Sequence, residues 1–238
     1  MFKANDKTFT TALILAGGSG TRLSADITKQ KIEICGKSIL RRSVEAFENT
    51  ECVDRIIVVC REDEIEFAKE ELNGISKLYA IEAGGNDRAE SARKGFFRIP
   101  NDQGFVLIHD AARCLISEED ISRVAFAAYQ FGCATAAAYV TDTVKTVDDR
   151  GIISKTLNRC DLRAMQTPQA FSCRLYAEAL KMAQQDGLSV TDDNMLLENI
   201  GAEIRTVITS RENIKITTVD DVGYAEYILR KREESEKR

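Results

Sequence analysis

The sequence predicts a three-layer α/β fold, Rossmann-like in having a mostly parallel sheet with helices on both faces, from which an antiparallel β-arm projects. Three observations carry this expectation. Near-continuous apolar or β-branched runs alternate with amphipathic stretches at helical spacing, the pattern of parallel strands buried on both faces. A glycine-rich loop follows the first run directly, where open α/β sheets bind ligands. One late stretch, "TDTVKTVDDRGIISKTLNRCDLRAM", instead alternates apolar with polar residues around a turn signal at Asp149-Arg150-Gly151.

Strands are expected at residues 11–16, 55–60, 77–82, 104–110, 134–140 and 203–209. Between them, "EDEIEFAKEELNG" sets Ile65, Ala68 and Leu72 on one helical face and stops at Asn73-Gly74. The stretch "SEEDISRVAFAAYQFG" opens on a Ser117–Asp120 capping pattern and turns Ile121, Val124 and Ala128 inward. A last helix from about Thr218 aligns Val222, Ala225 and Leu229 before a charged tail. The alternating stretch is the arm, residues 141–166, and its apolar face calls for a second subunit to cover it.

The 238-residue chain is long enough for one sizeable core and is expected to form a single domain, residues 1–238. A net charge of −5 argues against charge-driven binding to nucleic acid or anionic membrane, but leaves room for local basic pockets. Seven scattered cysteines contain no C-x-x-C pair, so neither a zinc site nor a redox motif is indicated, and reduced, cytoplasmic thiols are expected. No apolar signal core or membrane-spanning run is present in the sequence.

In "ILAGGSGTRLSADITKQK", Ala16 ends the strand, and Gly17, Gly18 and Gly20 let backbone N–H groups approach phosphate oxygens. A dinucleotide-binding reading needs a helix at the glycines and an acidic residue about 20 positions on; neither is found. A P-loop needs Gly-Lys-Ser/Thr, and the chain has Gly20-Thr21-Arg22. Arg22 and Lys29 on the loop can instead neutralise charge on a phosphoryl group under attack and on departing pyrophosphate. In "LIHDAAR", Asp110 falls at a strand end, as carboxylates that hold Mg²⁺ against phosphates do, and Arg113 follows. His109, the only histidine, is read as a packing or hydrogen-bonding residue. "AGGNDRAESARKGF" forms a second glycine turn into a helix, with Gly85, Arg88 and Ser91 in reach of a nucleotide. Thr167 in "QTPQAF" and Lys215 in "ENIKITT" complete the candidates, Lys215 pointing away from Ile214 and Ile216.

The ordered motifs A-G-G-S-G-T-R, T-K-Q, G-G-N-D-R-A-E-S, H-D-A-A-R, D-T-V-K, Q-T-P-Q-A-F, T-D-D and N-I-K-I-T, over residues 11–227, resemble the 2-C-methyl-D-erythritol 4-phosphate cytidylyltransferase family. The resemblance implies a nucleotidyltransferase that joins CMP from CTP to a polyol phosphate. Arg22 and Lys29 then match transition-state stabilisers, and Asp110 the Mg²⁺-binding carboxylate. Ala16, the loop glycines, Gly85, Arg88 and Ser91 fall on the nucleotide site. Arg159 and Lys215 match residues holding the attacking phosphate; Arg113, Thr143 and Thr167 match further substrate contacts. The resemblance also implies a homodimer in which the arm carries Thr143 and Arg159 into the neighbour's site. A related family acting on ribitol 5-phosphate shares the A-G-G-x-G-T-R and Q-T-P-Q segments, whereas D-T-V-K and H-D-A-A-R favour the methylerythritol enzyme. A catalytically silent nucleotide-binding protein is the alternative from another class, and the retained Arg22, Lys29, Asp110 and Lys215 count against it.

The chain departs from the family pattern at Thr28 and Cys114, where proline is usual, and at Lys31, where an aromatic is usual. Because proline fixes φ, the first two changes are expected to loosen loops without removing a charge.

Overall fold

Alternate residues of β1 (Thr10–Leu15) enter two different apolar layers: Ala12 and Ile14 pack on one side of the sheet, Leu13 and Leu15 on the other. That two-sided burial is why the strand reads as a continuous apolar run. The computed structural model describes residues 8–18, 28–100, 104–188 and 190–236.

After β1 come a short hairpin, β2 (Glu33–Ile34) and β3 (Lys37–Ser38), then α1 (Ile39–Asn49), β4 (Arg55–Cys60), α2 (Ile65–Glu71), β5 (Leu78–Ala83) and α3 (Arg88–Phe96). The second half runs β6 (Phe105–Asp110), α4 (Glu118–Phe131), β7 (Cys133–Tyr139), β8 (Lys145–Val147), β9 (Ile153–Thr156), β10 (Arg163–Ser172), α5 (Cys173–Asp186), α6 (Asn194–Asn199), β11 (Arg205–Ile208) and α7 (Val219–Glu236). Each strand expected from the sequence is present to within two residues at its ends. Ser117 caps α4 as its spacing predicts, its hydroxyl accepting from Asp120 N.

The main sheet has seven strands in the order β11-β7-β10-β6-β1-β4-β5. All neighbours are parallel except β10, which runs antiparallel to both β6 and β7. β10 was not among the strands expected from the sequence, and its Pro168 is foreign to a central strand. The structure reconciles the two: pairing with β7 slips between Met165 and Gln169, so Pro168 sits in the irregularity.

Helices α1, α2 and α4 cover one face, with Phe47, Leu72 and Val124 in that layer; α3, α5 and α6 cover the other, with Phe96, Tyr176 and Leu197. α7 packs Ala225 and Ile228 onto a third cluster with Ile34, Leu115 and Ile216. On α3, a Cβ at Gly95 would run into Leu13 and Val59, so glycine lets this helix lie close against β1 and β4. This contact sets the N-terminus of α3 beside the C-terminal ends of those strands.

The arm is a two-stranded antiparallel hairpin of β8 and β9, turning at Gly151. Residues 163–166, at the end of the predicted arm, already lie in the main sheet as the start of β10. Val147, Ile152 and Ile153 are 59%, 59% and 60% exposed. Lys215 lies in an irregular segment instead of a strand, but its side chain does point away from the buried Ile216.

Candidate active site

Strand ends build the cleft. Ala16 N–H donates to Val59 O at 2.7 Å and Gly84 N–H to Cys60 O at 2.7 Å, continuing the parallel ladder past β1 and β5. Both glycine turns therefore leave the sheet at the same level, and Asp110 ends β6, the strand that flanks β1 on the side away from β4 and β5. The cleft encloses about 320 Å³, and Gly17, Gly18, Lys29, Arg88, Asp110 and Lys215 are among the residues that line it.

The second glycine turn is held from within its own helix. Ser91 Oγ accepts from Gly85 N–H at 2.9 Å and donates to Asp87 O at 2.8 Å. Asp87 caps α3 through Glu90 N at 2.7 Å. A Cβ at Gly85 would collide with the Glu90 side chain, so the turn needs glycine there.

Asp110 is the electrostatic centre. Its Oδ1 accepts from Arg88 Nε at 3.1 Å and its Oδ2 from Lys215 Nζ at 2.7 Å. Burial pushes its carboxyl pKa up, but Arg88 and Lys215 together outweigh that and hold it well below the usual carboxylate range. Lys215 is brought there by backbone: Ile216 N–H donates to Ala112 O at 2.8 Å, laying the segment before α7 across the loop after β6.

Beneath Asp110, Thr167 Oγ1 accepts from Asp110 N–H at 3.1 Å and lies 3.0 Å from His109 Nδ1. Thr167 is buried and is not among the residues that line the cleft; in this structure it orients the strand end. His109 packs on Phe47 with ring centroids 4.9 Å apart, and burial pushes its pKa down to about 3, so it is neutral. This agrees with its reading as a packing and hydrogen-bonding residue. Arg113 reaches Asn213 O at 2.9 Å, and buried Asn213 donates in turn to Gln166 Oε1 and Thr167 O.

The structure thus brings Ala16, Gly17, Gly18, Lys29, Gly85, Arg88, Ser91, Asp110 and Lys215 to one set of strand ends. Gly20 and Arg22 lie outside the described residues. Thr143 and Arg159 are on the exposed arm, not in the cleft lining, and Arg159 donates to Thr141 O at 2.9 Å. At Thr28 the backbone has φ −67°, the angle a proline ring would enforce, so the described geometry there is proline-like without the ring. Cys114 is 5% exposed in the third cluster, and burial pushes its thiol up to about 11.

Sequence reasoning missed several residues behind the cleft. Asp193 accepts from Arg88 Nη1 at 2.6 Å and from the Tyr176 hydroxyl at 2.6 Å. Gln169 grips the T-D-D turn at both ends of its amide, donating to Asp192 Oδ2 and accepting from Asp193 N–H. The available signal was a tyrosine on the buried face of α5, since a buried phenol needs a partner.

A glycine loop at a parallel strand end, with cations gathered around the carboxylate of Asp110, defines a phosphate-handling α/β protein. Comparison with known proteins narrows this. The family model described as 2-C-methyl-D-erythritol 4-phosphate cytidylyltransferase matches residues 10–231. A protein of that name from Alkaliphilus oremlandii is 37% identical over 228 residues, covering 94% of this chain and 97% of its own. One from Syntrophus aciditrophicus is 38% identical over 225 residues, covering 93% and 96%. The crystal structure of 4-diphosphocytidyl-2C-methyl-D-erythritol synthase from Anaerococcus prevotii superposes with a TM-score of 0.84 at 29% identity, covering 94% of this chain and all of that one. The chain belongs to the 2-C-methyl-D-erythritol 4-phosphate cytidylyltransferase family.

Proposed function

We propose that this enzyme transfers CMP from CTP to 2-C-methyl-D-erythritol 4-phosphate, releasing pyrophosphate and forming 4-diphosphocytidyl-2-C-methyl-D-erythritol. The observation that carries the reading is the convergence of Lys29, Arg88, Asp110 and Lys215 on one cleft in a chain of this family. An oxygen of the acceptor phosphate forms a bond to the α-phosphorus. The bond from that phosphorus to the oxygen bridging to the β-phosphate breaks, and pyrophosphate takes the electron pair. Negative charge builds on the α-phosphoryl oxygens and the leaving group, and Lys29 is the cleft cation assigned to neutralise it, together with Arg22. The turn at Gly85 and Ser91 holds the nucleoside, and Lys215 the acceptor phosphate.

Asp110 fits a Mg²⁺ anchor: its carboxylate lines the cleft at a strand end, Asp87 at the cap of α3 being the other aspartate in the lining, and this cation commonly takes one or two carboxylates plus substrate phosphates. When bound, the ion would neutralise phosphate charge. Asp110 would exchange a cation contact for it, most readily that of Lys215, whose side chain is 43% exposed.

The arm supports a homodimer. An isolated two-stranded hairpin is marginal in water, and its exposed Val147, Ile152 and Ile153 would be buried by a second copy. Thr143 and Arg159 would then complete the neighbour's site, and Arg113 and Thr167 would act beside it. A cytoplasmic setting suits the seven free cysteines.

The test is pyrophosphate release from CTP and Mg²⁺ with 2-C-methyl-D-erythritol 4-phosphate and ribitol 5-phosphate as acceptors in turn. Turnover with the first is expected. Turnover only with ribitol 5-phosphate overturns the acceptor, and CTP binding without turnover on either favours the silent binding protein.

A further inference from the structure

The T-D-D motif has no part in the reaction as drawn, yet its second aspartate reaches the cleft through one side chain. Asp193 is buried, 2% exposed at its side chain, and its two oxygens have separate partners. Oδ2 takes the 2.6 Å bond from Arg88 Nη1, and Oδ1 takes the 2.6 Å bond from the Tyr176 hydroxyl. Tyr176 is itself fully buried, stacked on Phe171 at 5.3 Å and edge-on to Phe96 at 4.9 Å. Arg88 therefore bridges two carboxylates, with its shorter bond to the buried one and its 3.1 Å bond to Asp110 in the cleft.

From this geometry we infer that Asp193, held by Tyr176, is a positioning residue for the nucleotide site, acting through Arg88. The inference rests on the nucleotidyltransferase reading above. Lys215, Asp110, Arg88 and Asp193 form a line of alternating charge that runs from the cleft into the layer between the sheet and α5. Asp110 is the member that must trade partners when phosphates arrive. Asp193 keeps the Arg88 guanidinium paired during that exchange, so its remaining face stays presented to the nucleotide beside Gly85 and Ser91. A purely structural ion pair between α3 and the start of α6 would need no second contact in the cleft. Arg88 makes one, and its side chain is 27% exposed there.

The test is a double-mutant cycle with steady-state kinetics. Asp193→Asn keeps the size and one acceptor oxygen but removes the charge. It is expected to raise KM for CTP about tenfold while KM for the polyol phosphate stays within about twofold. In an Arg88→Gln background, which by itself raises KM for CTP, adding Asp193→Asn is expected to have no further effect. Tyr176→Phe, which removes only the supporting hydroxyl, is expected to shift KM for CTP in the same direction by about threefold; it serves if Asp193→Asn does not fold. Unchanged KM for CTP in Asp193→Asn, or effects that multiply fully with Arg88→Gln, overturns the inference. If Arg88→Gln itself leaves KM for CTP unchanged, it is the nucleotide-site assignment that fails instead.

Discussion

In the cleft, the Asp110 side chain is 12% exposed and each of its oxygens has a cationic partner within 3.1 Å. On the arm, Val147, Ile152 and Ile153 stand 59–60% exposed, and β8 and β9 pair only with each other. The first region is electrostatically closed within one chain. The second presents apolar surface that the described residues do not cover. Polar groups in a cleft can neutralise each other locally, whereas apolar side chains on a thin hairpin have no core beneath them. The two regions are therefore probed differently: the cleft by removing a charge, the arm by asking whether a second copy covers it.

The largest effect should come from the cleft. Lys29→Ala is expected to lower kcat about 10²–10³-fold, the typical cost of losing one preorganised transition-state contact; full kcat in this variant sinks the stabiliser assignment. Arg159→Ala tests the other side of the comparison. Each single variant should be nearly inactive, but random mixing of the Lys29→Ala and Arg159→Ala chains should restore about a quarter of wild-type activity, because half the dimers then hold one intact site. No recovery after subunit exchange breaks the shared-site account.

If the proposed dimer forms through the arm, a double substitution, Val147→Asp with Ile153→Asp, is expected to convert it to monomer by light scattering while leaving the far-UV circular dichroism of the sheet and helices unchanged. Loss of the folded signal would mean that the arm supports its own subunit.

A smaller effect concerns acid. The folded pKa of His109 is depressed to about 3 against a reference of 6.5, so below pH 6.5 the unfolded chain takes up a proton that the folded chain refuses. Stability conferred by neutral His109 is thus complete above 6.5 and falls as pH drops towards 3. From pH 6.5 to pH 5 the wild type should lose about 2 kcal/mol of unfolding free energy more than His109→Asn in urea titrations. Parallel curves would break the assignment of a desolvated, neutral imidazole. The smallest effect is chemical. In the monomeric double variant, exposed Cys160 should alkylate with iodoacetamide well before buried Cys114, read by mass spectrometry. Equal rates would mean that the third cluster opens as freely as the arm.

Much of this was legible in the chain. β4 was expected at residues 55–60 and is found there, because both faces of a buried parallel strand must be apolar. The arm announced itself by alternation, and Asp110 by its place at a strand end. β10 was not legible: its central pairing is non-local, and a Gln-Thr-Pro segment carries no strand signal by itself. Nor were the parts played by Thr167 and Asp193. Thr167 matched a substrate contact, and its hydroxyl also accepts from Asp110 N–H and lies beside His109, a cross-strand link that no motif shows.

The sequence by itself determined the layers, the strand-end loops and the kinds of charge they carry. Periodicity and residue type are local properties, set by which face is dry and which turn needs glycine. Only the tertiary structure decided who pairs with whom. The Asp193–Arg88 bond joins residues far apart in the chain, and Lys215 meets Asp110 because Ile216 bonds the loop after β6. Such pairings depend on strand order and helix placement, which no stretch of sequence encodes alone.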